Sequence, residues 1–536
     1  MTTSRSLMTT LFLAACGSDP DVGHLPDAPP AEAAERLTVT LAGDKAPILQ
    51  GASVALTVTI ARQGGLTGPV EITAVGLPAG VTADPLTIAD GATTGTLALR
   101  APASAPHSLP TSVTVRGTAG AASADAPATV TVYGAPGALD TSFGGGKVML
   151  PGGASDDYAY AAAVQADGKI VIAGRAAEQR GDFALIRLDR DGNLDTSFGT
   201  GGRVLTDFAG ASETIYAIAI QPDGKIVAAG VSTVTGSGND FALARYRPDG
   251  SLDTSFGTGG KVTTAIGPDS DTAYAVLVQP DGTIVAGGDS SRATTGVDFA
   301  LARYTAAGVL DPSFGTGGIA LTSIAQFGAR DSIYALARQA DGKLVAAGGE
   351  GDFTLVRYHA DGSLDAGFGT GGKLAHLFGS TIGAARAVTI APTGEIYVAG
   401  HAHHAVSVAR LTAAGVLDGS FGTGGKVQTM LSATNWNEAQ AIALDAGGKL
   451  VVAGWVYEGA SSAGNFAVVR YDSAGALDPA FGEAGVVITP VAPGTKPDQG
   501  MAMVLQPDER VPATRIVTAG FASNTNSDFA VTRYWR

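Results

Sequence analysis

Two groups of side chains in this 536-residue chain have the type and spacing to do chemistry. Trp436, Trp455 and Tyr457 form one group, and their rings offer flat apolar faces with a polar edge, which suits stacking on a sugar ring or a peptide side chain. They are the candidate ligand-binding residues. His401, His403 and His404 form the other, and three neutral imidazoles so close in sequence are candidate metal ligands. Catalytic signatures are missing: there is no Gly-x-Ser-x-Gly elbow, no His-Glu-x-x-His and no phosphate-cradling loop. The Gly-Thr-Gly-Gly runs are not followed by a helical pattern and read as turns, so no dinucleotide or other cofactor is expected.

Charge excludes a further class. The net charge of −15, with no Lys/Arg cluster, provides no counterion release on a phosphate backbone, so nucleic acid is not an expected partner. The charges that do recur have a regular place. Arg187, Arg245, Arg303, Arg357, Arg410 and Arg470 each precede an aspartate by eight residues: Asp195, Asp253, Asp311, Asp365, Asp418 and Asp478. A seventh, Arg533, has no downstream aspartate, which leaves Asp140 for it. These arginines alternate with apolar residues on one strand face, so each is expected to be partly buried and paired. A reaction centre need occur only once, whereas a packing device must recur. The recurring Arg and Asp, and the recurring Phe143, Phe198, Phe256, Phe314, Phe368, Phe421 and Phe481, are therefore read as structure.

The elements behind these residues are short strands. Seventy-five glycines suit tight turns and weaken helix interiors, which predicts an all-β chain. Leu-Asp-x-x-Phe-Gly begins at Leu139, Leu194, Leu252, Leu310, Leu364, Leu417 and Leu477, at spacings of 55, 58, 58, 54, 53 and 60. Each copy carries four strand-like runs, with an Asp-Gly turn at Asp167, Asp223, Asp281 and Asp341. A four-stranded antiparallel unit repeated seven times predicts a seven-bladed β-propeller over 137–536. Binding residues are expected on the rim that carries the variable loops, opposite the uniform Asp-Gly turns.

The repeat also has a likeness. Gly250-Ser-Leu-Asp-Thr-Ser-Phe-Gly-Thr-Gly-Gly-Lys-Val262, Asp167-Gly-Lys-Ile-Val-Ile-Ala-Gly174 and Asp240-Phe-Ala-Leu-Ala-Arg-Tyr246 resemble the delta-60 repeat. That resemblance implies β-propellers of secreted and surface proteins of deltaproteobacteria, and implies no catalytic residue. The fifth copy departs from it with Thr393-Gly394 and Val406, the sixth with Gly447-Gly448, and the seventh with an insertion from Glu509 to Arg515. The first copy begins with Lys147 to Leu150 alone and the last ends after Phe529 to Tyr534, so the first short strand is predicted to complete the last sheet.

Ahead of the repeats, residues 36–133 alternate β-branched and polar residues in six or seven short runs, the pattern of an immunoglobulin-like β-sandwich. Residues 1–15 read as a lipoprotein signal peptide, because Leu13-Ala14-Ala15-Cys16 resembles a bacterial lipobox. Cys16, the only cysteine, would carry the acyl chains, and residues 16–35, rich in Pro, Ala and Asp, read as a disordered tether. The expected function is non-enzymatic: an outer-membrane, lipid-anchored protein presenting a propeller to a protein or glycan partner. If the lipobox is not used, the chain is secreted. The alternatives are a polysaccharide lyase or glycosidase with its site in the propeller channel, and a purely structural surface protein.

Overall fold

The computed structural model describes residues 34–150, 156–177, 181–208, 212–234, 238–292, 296–324, 331–432, 436–457, 464–492, 497–507, 514–523 and 526–536. The signal segment 1–15, Cys16 and the tether as far as residue 33 lie outside them.

Alternation of apolar and polar residues shapes the N-terminal part. Ser53–Gln63 and Thr111–Ala119 bury every second side chain, so each strand has one wet and one dry face. Two sheets result. One runs Arg36–Leu41, Ser53–Gln63, Thr94–Arg100, Thr82–Ala83, and the other Lys45–Leu49, Ala122–Tyr133, Thr111–Ala119, Val70–Val75, Leu86–Ile88. Their dry faces share one core that includes Val58, Val70, Leu97, Val115 and Val130.

Among the described residues, the repeats build seven further sheets, each four-stranded and antiparallel. In the first, Tyr158–Val164, Ile170–Ala176, Asp182–Leu188 and Arg203–Thr206 are neighbours in chain order, and the next five follow the same plan. The leading strands Tyr158–Val164, Glu213–Ile220, Asp271–Val278, Ile333–Arg338, Gly383–Ile390, Asn437–Leu444 and Gln499–Gln506 each touch the next, and the seventh touches the first. The sheets therefore form a closed ring with these strands innermost. Closure uses a borrowed strand: Lys147–Leu150 pairs antiparallel with Ser527–Trp535, Lys147 opposite Thr532 and Leu150 opposite Phe529.

Side chains that recur hold neighbouring sheets together. The seven repeat phenylalanines are fully buried. Over each lies the guanidinium of the repeat arginine, 4.5–5.0 Å from the ring centre. The Nε of those arginines lies 2.7–2.9 Å from the expected aspartates, and Asp140 does take Arg533. Arginine also reaches the following repeat, donating from Arg187 to the Pro248 carbonyl and, across the closure, from Arg533 to the Arg190 carbonyl. Tyr246, Tyr304, Tyr358, Tyr471 and Tyr534 bond Thr206, Thr264, Thr322, Thr429 and Thr489 of the preceding sheet at 2.7–2.9 Å.

A tight contact joins the two parts of the chain. Trp535 is buried between the edge of His107, at 5.2 Å, and Tyr133, at 5.9 Å, with the Arg515 guanidinium 3.4 Å from its ring centre.

Candidate functional site

One glycine per repeat determines what faces the ring axis. Gly174, Gly230, Gly288, Gly348, Gly400, Gly454 and Gly520 lie on the second strand of their sheets, where a Cβ would come 1.8–2.0 Å from a backbone oxygen of the innermost strand. Only glycine allows that approach. Opposite it, the pairing skips one residue: Ala159 faces Gly174 and Ala161 faces Ala173, so Tyr160 is left unpaired. The same slip leaves out Tyr216, Tyr274, Tyr334, Arg386, Gln440 and Met501. These are β-bulges, which re-aim a side chain.

All seven bulged residues line one central well of about 480 Å³, within the ~300–1,000 Å³ span usual for small-ligand sites. Tyrosines fill four consecutive bulge positions out of the seven, with neighbouring ring centres 4.9–5.3 Å apart and planes tilted by 51–53°. Burial, with the neighbouring Tyr216 and Tyr158, pushes the Tyr160 phenol up to about 12, so it stays a hydrogen-bond donor at physiological pH. Arg386 continues the series, its guanidinium 4.0 Å from the ring centre of Tyr334. Among the lining residues it is the sole cation, and none is an Asp or Glu.

Arg386 is held from behind. Its Nε donates to Oε1 of Glu438 at 2.8 Å, and Glu438 is almost completely buried. Nδ1 of His401 lies 3.3 Å from the same oxygen, and Nε1 of Trp436 donates to Oε2 at 3.3 Å. Burial alone would push this carboxyl up, but His401 and Arg386 hold it down at about 2. Glu438 is therefore ionised, and Arg386 stays charged because that carboxylate outweighs its own desolvation. The line of contacts runs from the rim to the well: His404 stacks edge-on against Trp436 at 4.6 Å, and His401 lies 5.2 Å from it.

Six segments, 165–198, 221–256, 279–314, 339–368, 391–421 and 448–481, match the family described as domain of unknown function (DUF5122) beta-propeller. The ring is built of β-propeller repeats. No curated protein matches the chain. Among solved structures, prolyl oligopeptidase B from Galerina marginata is 12% identical at a TM-score of 0.29, over 68% of this chain and 55% of that one. This chain thus spans about half the length of that relative. A DUF4784 family protein from Bacteroides caccae is 11% identical at a TM-score of 0.21, covering 93% and 95%, and surface layer protein SbsC, domains 4–9, is 12% identical at 0.14, covering 93% and 81%. Overlap this low carries no argument about fold or activity.

Within the propeller, the residues expected to bind are divided between two places. Trp436 belongs to the contacts behind Arg386. Trp455 stacks on Tyr457 at 4.8 Å, and Tyr457 accepts from Gln499 Nε2 at 3.2 Å. At 7% exposure Trp455 is core, so the expectation that it offers a face to a ligand is corrected by its burial. The histidines do not converge either. His401 is buried against Glu438, while His403 and His404 are exposed in the following turn. Among the described residues, the group of three ligand-type side chains within 4.8 Å of one another is Asp182, Asp207 and Glu213, not the histidines. The bulge residues were missed because a strict two-residue period hides a one-residue slip; the signal was the glycine that recurs in all seven copies, closing a Val-x-Ala-Gly run in five of them.

Proposed function

We propose that this protein is a non-catalytic binding protein of the cell envelope. Its ring is a seven-bladed propeller carried on an immunoglobulin-like spacer, of the delta-60 kind found in deltaproteobacteria, and anchored by acyl chains on Cys16, most simply in the outer membrane. The central well takes the ligand, a glycan or a peptide. The observation that carries this reading is the wall of the well, where Tyr160, Tyr216, Tyr274 and Tyr334 form an unbroken row of touching rings. Aromatic surfaces that also carry hydroxyl groups suit ligands that have both apolar faces and polar edges. Support for binding over turnover comes from the lining, which lacks the pair of carboxylates that glycoside hydrolysis uses.

The test is a glycan and peptide array probed with the parent chain and with Tyr216→Ala/Tyr274→Ala. Binding by the parent that the double variant loses supports the reading. Binding that survives the double variant moves the site away from the well, and new reducing ends or unsaturated products from a polysaccharide assign catalysis instead. Metabolic labelling with an alkynyl fatty acid, lost in Cys16→Ser, checks the anchor.

A further inference from the structure

The well is chemically lopsided. One side is tyrosine, and beside it stand a cation, Arg386, an amide, Gln440, and the thioether of Met501. The cation is expensive to place there. A guanidinium three-quarters buried needs compensation for its lost hydration, and it has it in Glu438, which His401 and Trp436 hold in turn. For packing alone a fifth tyrosine would suffice, as at the four equivalent positions.

The arrangement also fixes which part of the guanidinium is left for a ligand. Nε is taken by Glu438, and Tyr334 takes one face of the guanidinium together with a side-chain hydrogen bond, so a ligand in the well would meet Arg386 through its terminal nitrogens. Two parallel N–H groups on that edge match the two oxygens of a carboxylate. The neighbouring tyrosines offer ring faces for C–H surfaces, and the Gln440 amide offers a partner for a ring hydroxyl. Flat ring faces standing beside a cation and an amide match the C–H face, the carboxylate and the hydroxyls of one acidic sugar ring, which favours a sugar over a peptide.

Resting on the binding reading above, we propose that the well recognises a carboxylate-bearing sugar, a uronic acid residue of an acidic glycan, with its carboxylate on the terminal nitrogens of Arg386 and its ring against Tyr274 and Tyr334. Glu438 is a positioning residue in this arrangement. It orients the guanidinium without touching the sugar.

Isothermal titration calorimetry on the full chain tests this with oligo-uronates of gluco, galacto and manno configuration, their neutral counterparts, and short peptides with free C-termini. At least one uronate is expected to bind about 10-fold or more tightly than its neutral counterpart, and to weaken as salt rises. Arg386→Gln would strand the buried Glu438 charge, so the informative variant is Arg386→Gln/Glu438→Gln, which should bind uronate and neutral sugar alike. Arg386→Lys should keep part of the preference. If uronate and neutral sugar bind the parent equally, the anion inference is overturned while glycan binding stands. If only the peptides bind, the sugar is overturned while binding at the well stands. If nothing binds, both readings fall.

Discussion

The clasp of the ring is Asp140, and replacing it should cost far more than replacing its counterparts. In the first, second, fourth and sixth repeats the repeat aspartate is shared between the repeat arginine and a lysine whose side chain is 29–39% exposed. In the last sheet Arg515 stands at the lysine's place and is 3% exposed, lying over Trp535. Asp140 is fully buried and accepts from Nε of both Arg515 and Arg533 at 2.9 Å. Asp140→Asn therefore removes the carboxylate that two buried guanidinium groups share, worth about 3–5 kcal/mol by the usual cost of breaking a buried pair. Asp365→Asn strands one such arginine beside a lysine that water can reach, and should cost about 2 kcal/mol. Urea unfolding of both variants under one condition gives the comparison. The acid limb supplies a second reading. Burial pushes the Asp140 carboxyl up, but Arg533, Ser142 and Arg515 outweigh it and hold it below the usual range. Its contribution is therefore complete above ~3.9, the ordinary aspartate value, and is lost as pH falls through the depressed one, so parent and variant should converge only in strong acid. Equal losses for the two variants, or a gap that closes near neutral pH, would refute the reasoning.

Other expectations follow from the same contacts. Gly230→Ala puts a Cβ 1.8 Å from the Thr214 carbonyl, so the second bulge must open; a loss of about 3 kcal/mol and a changed near-ultraviolet tyrosine signal should appear together in thermal and circular-dichroism measurements. Glu213 is buried near Asp207 and Asp182, and burial with those charges pushes its carboxyl up to about 7. The unfolded chain ionises this group first, so stability falls as pH rises from ~4.5 to ~7; Glu213→Gln should raise stability at pH 8 by at most ~3 kcal/mol and change little below pH 4, checked by melting curves across pH. Trp535→Ala removes the ring that His107, Tyr133 and Arg515 pack on, and limited proteolysis should then cut between the N-terminal sheets and the propeller.

What could be read from the sequence was whatever repeats. Seven copies of Leu-Asp-x-x-Phe-Gly pointed to the sheets, the eight-residue Arg-to-Asp spacing to the ion pairs, and the orphaned ends Lys147–Leu150 and Phe529–Tyr534 to the strand that closes the ring. The well was not read, although its signal was present. Tyr160, Tyr216, Tyr274 and Tyr334 recur in four repeats and stop at Arg386, so they met neither the standard for packing, which requires seven, nor that for a unique centre. Their direction depends on a bulge, and a bulge is a relation between two strands that one strand's periodicity does not contain. The grouping of the aromatic and histidine residues depends on strand register: Trp436 meets His401 and His404 across the sheet boundary, while Trp455 turns into the core.

Departures from the repeat gather where the well departs from tyrosine. The fifth repeat has exchanged the longer variable loop for a two-residue turn, His403-His404, with φ of 54° and 62°. Asn-Gly would take that turn with less strain. The strain is compensated by what the turn delivers: the His404 carbonyl accepts from the backbone N and Nδ2 of Asn437, and the His404 ring sets Trp436 against Glu438. The same repeat supplies Arg386 and His401, and the sixth supplies Trp436, Glu438 and Gln440. Packing devices are copied round the whole ring because each interface needs one, whereas the residues that would discriminate between ligands are concentrated at a single interface. A ring of seven identical tyrosines would have no direction; the fifth and sixth repeats give the well one by placing a single charge, Arg386, on one side of it, and the acidic-glycan proposal rests on that asymmetry.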